Sequence, residues 1–210
     1  MTDYVHDPAE ITRLSFAVIR READLSRLPA DIEPMALRMI HACGMVDLSD
    51  DLAFSLGAGD AGRDALAKGA PIFTDVEMVA QGIATRRLSA GNEVICMLNE
   101  NDVEARARAA GITRSAAAVE LWQPRLAGAI VAIGNAPTAL FRLLEIQARE
   151  SARPALVIAT PPGFVGAVES KEALIANNLD LPYVVLKGRR GGSALAAAAV
   201  NGLTLGEGVA

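Results

Sequence analysis

Between residues 127 and 203 the sequence runs through one plan three times. AGAIVAIGNAPTALFRLLEIQ, PALVIATPPGFVGAVESKEALIAN and PYVVLKGRRGGSALAAAAVNGL each pass from a short apolar run, through a Gly/Pro-rich turn, into a helical pattern. The apolar runs do not alternate with polar residues, as expected of strands covered on both faces, and a helix between successive strands is the crossover that parallel pairing requires. Upstream, PIFTDVEMVAQGIA reads as a strand and then a helix, and EVICML as another strand. The expectation is an α/β fold of three layers, α/β/α, with a mainly parallel five-stranded sheet in a flavodoxin-like arrangement. No linker or polar tract interrupts this pattern, so the reading is a single domain over residues 1–210.

In such a sheet ligands collect at the carboxyl ends of the strands. That places GNAPT, TPPGFVGA and GRRGGSA near the site. None of them fits GxGxxG, and GxxxxGK[ST] is absent, so neither a dinucleotide nor a P-loop site is supported. Backbone amides in these turns can bind carboxylates as readily as phosphates. Arg114, Lys171 and Arg190 lie near them, together with Lys187 and Arg189. Guanidinium groups pair bidentately with carboxylates. Taken singly, each of these cations reads equally as a solvated surface charge.

The amino-terminal third reads as helices. Asp7 is a plausible N-cap, Pro8 occupies the first helical position and Glu10 falls where a capping box places it; Ile11, Leu14 and Val18 then follow at helical spacing. This helix is expected to run to about Leu28, before Pro29, with Ser15 beside its apolar stripe. A second helix from about Pro34 ends at Gly44 and puts His41 in its last turn. There the helix dipole favours the imidazolium and raises its pKa. His41 and Cys43 are two positions apart and point in different directions, so they form no direct nucleophilic pair. His41 is the best catalytic candidate from the residues, with a hydrogen-bonded core histidine as the competing reading; His6 reads as exposed.

Composition narrows the partners. The two cysteines and two histidines are too few for a disulfide framework or a zinc site of the usual ligands, so Cys43 and Cys96 read as small buried hydrophobes and no metal or cofactor is expected. The net charge of −5 argues against nucleic acid, yet residues 105–210 hold 11 Lys/Arg against 7 Asp/Glu, which leaves room for a basic pocket facing a small polyanion. The polar opening MTDYVHDPAE is unlike a signal peptide and no apolar run is long enough to cross a bilayer, so a cytoplasmic protein without a membrane partner is expected.

Taken together and in order, SFAVIRREADL, RMIHACG, GAPIFTDVEMVAQGI, GNEVIC, TRSAAA, AIGNAPTALFRLLE, GFVGAVESKEAL and GGSALAAAAVNG resemble the precorrin-8X methylmutases, isomerases of cobalamin biosynthesis. The resemblance implies an intramolecular 1,5 shift of a methyl group on ring C of precorrin-8X, giving hydrogenobyrinate, with no external methyl donor. It implies that His41 gives and takes a proton at ring C, that Ser15 contacts the substrate, and that the protein is a homodimer. The substrate is a wide, partly apolar macrocycle ringed by carboxylates, so apolar walls with a basic rim are expected, Arg114, Lys171 and Arg190 among it. Thr85 of GIATRR either orients the substrate or hydrogen-bonds His41, with a helix-ending hydroxyl as the competing reading. Two other classes fit the same precursor: a protein that sequesters a corrin without turnover, and an S-adenosylmethionine-dependent precorrin methyltransferase.

Overall fold

A computed structural model describes residues 4–205. The helices are α1 Pro8–Glu22, α2 Glu33–Cys43, α3 Ala58–Ala67, α4 Glu77–Gly82, α5 Val103–Ala110, α6 Arg114–Glu120, α7 Pro137–Gln147, α8 Ala167–Ile175 and α9 Ser193–Leu203. The strands are β1 Leu52–Phe54, β2 Ile72–Thr74, β3 Val94–Cys96, β4 Ile130–Ile133, β5 Leu156–Ala159 and β6 Tyr183–Leu186. They form one sheet in the order β1-β6-β5-β4-β2-β3, parallel throughout except for β1, which pairs antiparallel with β6. Leaving out β1, this is the 2-1-3-4-5 order of flavodoxin-like sheets.

The expected five strands are all present, and β1 is a sixth. It is three residues long, lies at an edge and follows the acidic 3-10 turn Val46–Asp51, so it leaves no period in the sequence. The first helix stops at Glu22 rather than near Leu28. The reason is local: the Asp24 carboxylate accepts from the Ser26 amide at 3.0 Å and from its hydroxyl at 2.6 Å, a turn that competes with helix before Pro29 is reached. Asp7 does cap α1 through the Ala9 amide, but Glu10 pairs with Arg13 instead of closing a capping box.

Alternate strand residues feed two separate cores. Ile130, Ala132, Leu156 and Ile158 pack with residues of α1, α2, α3 and α9, whereas Val131, Ile133, Val157 and Ala159 pack with Leu140 and Leu143 of α7 and Leu174 of α8. The sheet therefore lies between two helical layers. Helix α2 lies along α9 with its start against the end of that helix: a Cβ on Gly202 would sit 2.5 Å from the Met35 Cα, so only glycine permits the approach. The other end of α2 is tied to the start of α9, because Asp47, just beyond α2, pairs with Arg190, just before α9. Helix α9 begins after the carboxyl end of β6, so the end of α2, with His41, lies on the carboxyl-end side of the sheet. Gly44 ends α2 with φ of 71°, its amide bonded to the Ile40 carbonyl.

Candidate functional site

His41 and Ser15 line one groove of about 610 Å³. Its walls are Ile11, Leu14 and Val18 from α1 and Ile40 from α2, with Glu22 at its edge. The His41 ring meets Phe16 edge-on, centroids 5.5 Å apart, while the residue stays accessible to solvent. Partial burial and then the Arg38 charge, one turn back on α2, lower the imidazole pKa. This reverses the direction expected from the helix dipole, because loss of water and a nearby cation outweigh the partial charge of the helix end. His41 is thus mainly neutral at neutral pH, carrying one N–H and one lone pair. The Ser15 hydroxyl donates to the Ile11 carbonyl at 2.7 Å, leaving its oxygen to accept from a ligand. His6 is on the surface against the Tyr4 ring.

The remaining sequence candidates lie outside this groove. Thr85 opens the 3-10 turn Thr85–Arg87 and lines a cleft of about 430 Å³ with Glu77 and Cys96. Burial pushes the Cys96 thiol up. Arg114, the first residue of α6, is exposed and donates to the Leu98 carbonyl at 3.1 Å and to Asn99 Oδ1 at 2.8 Å. It adjoins Thr113, whose hydroxyl is 2.7 Å from that of Thr138 at the mouth of a cavity of about 560 Å³. Thr138 and Phe141 of α7 line that cavity, which therefore lies across the sheet from His41.

Lys171 is buried, and its ammonium donates to the carbonyls of Gly188 at 2.9 Å and Arg190 at 2.8 Å. Arg190 in turn pairs with Asp47 at 2.8 Å and with Asp51. Arg190 ties the turn before α9 to the segment after α2, and Lys171 ties that same turn to α8. Their charges act within the chain and shape the ground on which His41 stands.

Asp75 gives no signal in the sequence as a site residue. It follows β2 at the point where strand order reverses, and its buried carboxylate accepts from the amides of Gly134, Asn135 and Ala136, at 2.9, 2.9 and 2.7 Å. Burial raises its pKa and these three bonds oppose the rise. The amino end of α7, where a flavodoxin-like fold offers an anion site, is filled here by the protein's own carboxylate. Only its contact with a turn 59 residues away reveals Asp75, and no local pattern encodes that.

A profile of the precorrin-8X methylmutases matches residues 10–205, from α1 to the end of α9. The chain belongs to this family. It is 59% identical to the precorrin-8X methylmutase of Pseudomonas aeruginosa over 97% of this chain and 98% of that one. It is 51% identical to that of a Sinorhizobium species over 96% of each. The crystal structure of the Thermus thermophilus precorrin-8X methylmutase superposes with a TM-score of 0.85 at 41% identity, covering 93% of this chain and 94% of that one. Like the other methylmutases, it is an isomerase of cobalamin biosynthesis. All of α2 and all of α1 beyond its first two residues, the helices that line the His41 groove, lie within the matched residues. Among the described residues no helix is long and apolar enough to cross a membrane.

Proposed function

We propose that the chain, as one domain over residues 1–210, moves a methyl group within precorrin-8X by a 1,5 shift on ring C, and that His41 serves as the general acid and base. The observation that carries this reading is the placement of His41 in a mainly apolar groove shared with Ser15, at the end of a helix bearing the family segment RMIHACG. A hydrogen bond or proton from the imidazole to the ring C nitrogen draws electron density out of the conjugated system and eases migration to the adjacent carbon. The neutral ring gives its N–H as a hydrogen bond; a whole proton comes from the imidazolium form, and the neutral ring left behind takes that proton back when the shift is complete. The methyl group never leaves the macrocycle, and no donor or metal enters the step.

Ile11, Leu14 and Val18 supply a wall for the macrocycle, and Ser15 accepts a hydrogen bond from it. Thr85 and Arg114 contact its periphery. Lys171 and Arg190 act at one remove, holding the turn that backs α2. These wall residues, Ile11, Leu14 and Val18, are 43%, 38% and 39% exposed, so one subunit leaves the apolar wall of the groove open. A homodimer covers that wall and brings the Arg114 side of a second copy within reach of a substrate too wide for one groove. We place this enzyme in the cytoplasm.

Incubation with precorrin-8X, one half of it labelled at the migrating methyl, tests the reading. The absorption spectrum should change to that of hydrogenobyrinate without added S-adenosylmethionine, and the label should stay in the molecules that carried it. Crossover of label between molecules, or dependence on a donor, points to a methyltransferase. Binding without spectral change points to a sequestering protein.

A further inference from the structure

We propose that Arg38 and Arg87 form the subsite that binds a peripheral carboxylate of the tetrapyrrole, beside the ring that His41 serves. The inference rests on the methylmutase reading above and assigns it an anion-binding pair. Arg38 and His41 are three positions apart on α2, which puts the two side chains on neighbouring positions, about 4.5 Å apart along the helix axis. From there the Arg38 charge adds to burial in lowering the His41 pKa. Asn201 of α9 accepts from the Ala84 amide at 2.8 Å and donates to the Gly82 carbonyl at 3.0 Å, next to Gly202, which abuts Met35 of α2. This holds the 3-10 turn that carries Arg87 against the helix that carries Arg38, and the Arg87 charge acts on that guanidinium.

Among the described residues neither guanidinium has an ion pair, whereas Arg13, Arg20, Arg63, Arg106, Arg125 and Arg190 are all paired with carboxylates. The Arg38 Nε is buried and has no hydrogen-bond partner. Burying a guanidinium donor unsatisfied, within range of a second cation and without an acid, is unfavourable by both desolvation and repulsion. A carboxylate between the two relieves both at once and finds the planar fork that Arg presents to it. A corrin seated over His41 carries acetate and propionate arms long enough to span one helical turn. Arg38 and Arg87 are thus poised for the substrate, while Lys171 and Arg190 are engaged within the chain.

Calorimetric titration with hydrogenobyrinate reads the subsite without turnover. Arg38→Gln and Arg87→Gln should each weaken binding by about ten- to a hundredfold, the loss expected for a charge-assisted hydrogen bond. Each should also flatten the fall of affinity with salt. Arg149→Gln, an exposed arginine just beyond α7 on the far side of the sheet, should change neither. Melting of the ligand-free proteins supplies the readout that a merely structural role would move the other way. Removing one of two repelling cations should leave each variant at least as stable as the parent, and Arg87, being exposed, gives a variant whose folding is not in question. Parent-like affinity in both variants, or lost affinity accompanied by a lower melting temperature in both, overturns the assignment. Failure of the unmodified protein to bind hydrogenobyrinate or convert precorrin-8X overturns the methylmutase reading instead, so the two failures are told apart.

Discussion

Replacing Lys171 with methionine measures what it costs to keep a charged amine under the turn before α9. Lys171 is 1% exposed, with Nζ 2.9 Å from the Gly188 carbonyl and 2.8 Å from that of Arg190. Burial lowers its pKa from 10.5 to about 8, against the opposing pull of Asp51. At about 1.4 kcal/mol for each pH unit, that gap makes the protonated side chain about 3 kcal/mol less favourable in the fold than in the unfolded chain. The folded value is the lower one, so between about pH 8 and about 10.5 the unfolded chain binds more protons. The penalty is complete below that window and absent above it, and stability from this group rises with pH across it. Methionine fills a similar volume, does not titrate, and leaves two carbonyls without their donor, each costing about 1 to 3 kcal/mol where water cannot reach. Urea unfolding of both proteins at about pH 7.5 and about pH 10 cancels every other group. Wild type should gain about 2 kcal/mol on the variant between the two conditions. A difference that does not change with pH would refute the buried, protonated strut.

Gly202→Ala should destabilise the protein by about 1 to 3 kcal/mol in urea unfolding and lower turnover as well, because the added Cβ falls 2.5 Å from the Met35 Cα and pushes away the helix that carries His41. Asp75→Asn removes the charge that three amides share and turns an amino group toward them; a loss of at least about 1.5 to 3 kcal/mol is expected by the same measurement, with parent-like stability contradicting the role of Asp75. The His41 imidazole, followed by NMR in the ligand-free protein, should titrate below the ordinary value of about 6.5, and Arg38→Gln should move its midpoint upward; a midpoint above that value would restore the helix dipole as the dominant influence.

The parallel sheet was legible because β4, β5 and β6 are apolar runs buried on both faces, each joined to a helix by a Gly- or Pro-bearing turn, and such runs announce themselves without help from distant residues. Strand β1 was not, since three residues paired to β6 depend on a partner more than 120 positions away. Gly44 marked the end of α2 because a left-handed residue is needed there, whereas the early end of α1 turned on the side chain of Asp24 folding back onto Ser26. His41 is marked already by its place in the last turn of α2, Ser15 only by the segment that resembles the methylmutases, and the fold brings both to one groove. The charged residues were harder to read. A cation's sequence neighbours do not say whether an acid or a carbonyl meets it after folding, so Lys171 and Arg190, engaged within the chain, look the same in sequence as Arg38 and Arg87, which are not.

The most direct test of the account is His41→Asn, assayed for turnover of precorrin-8X, affinity for hydrogenobyrinate and melting temperature on one preparation. Asparagine keeps a polar side chain that can hydrogen-bond but does not titrate in the useful range. His41 lies at the accessible edge of the groove, so the variant should melt as the parent does and bind product nearly as well. Turnover should fall by about two to four orders of magnitude, the usual contribution of a general acid and base. A stable variant that binds product and turns over at close to the parent rate would contradict the assignment of His41.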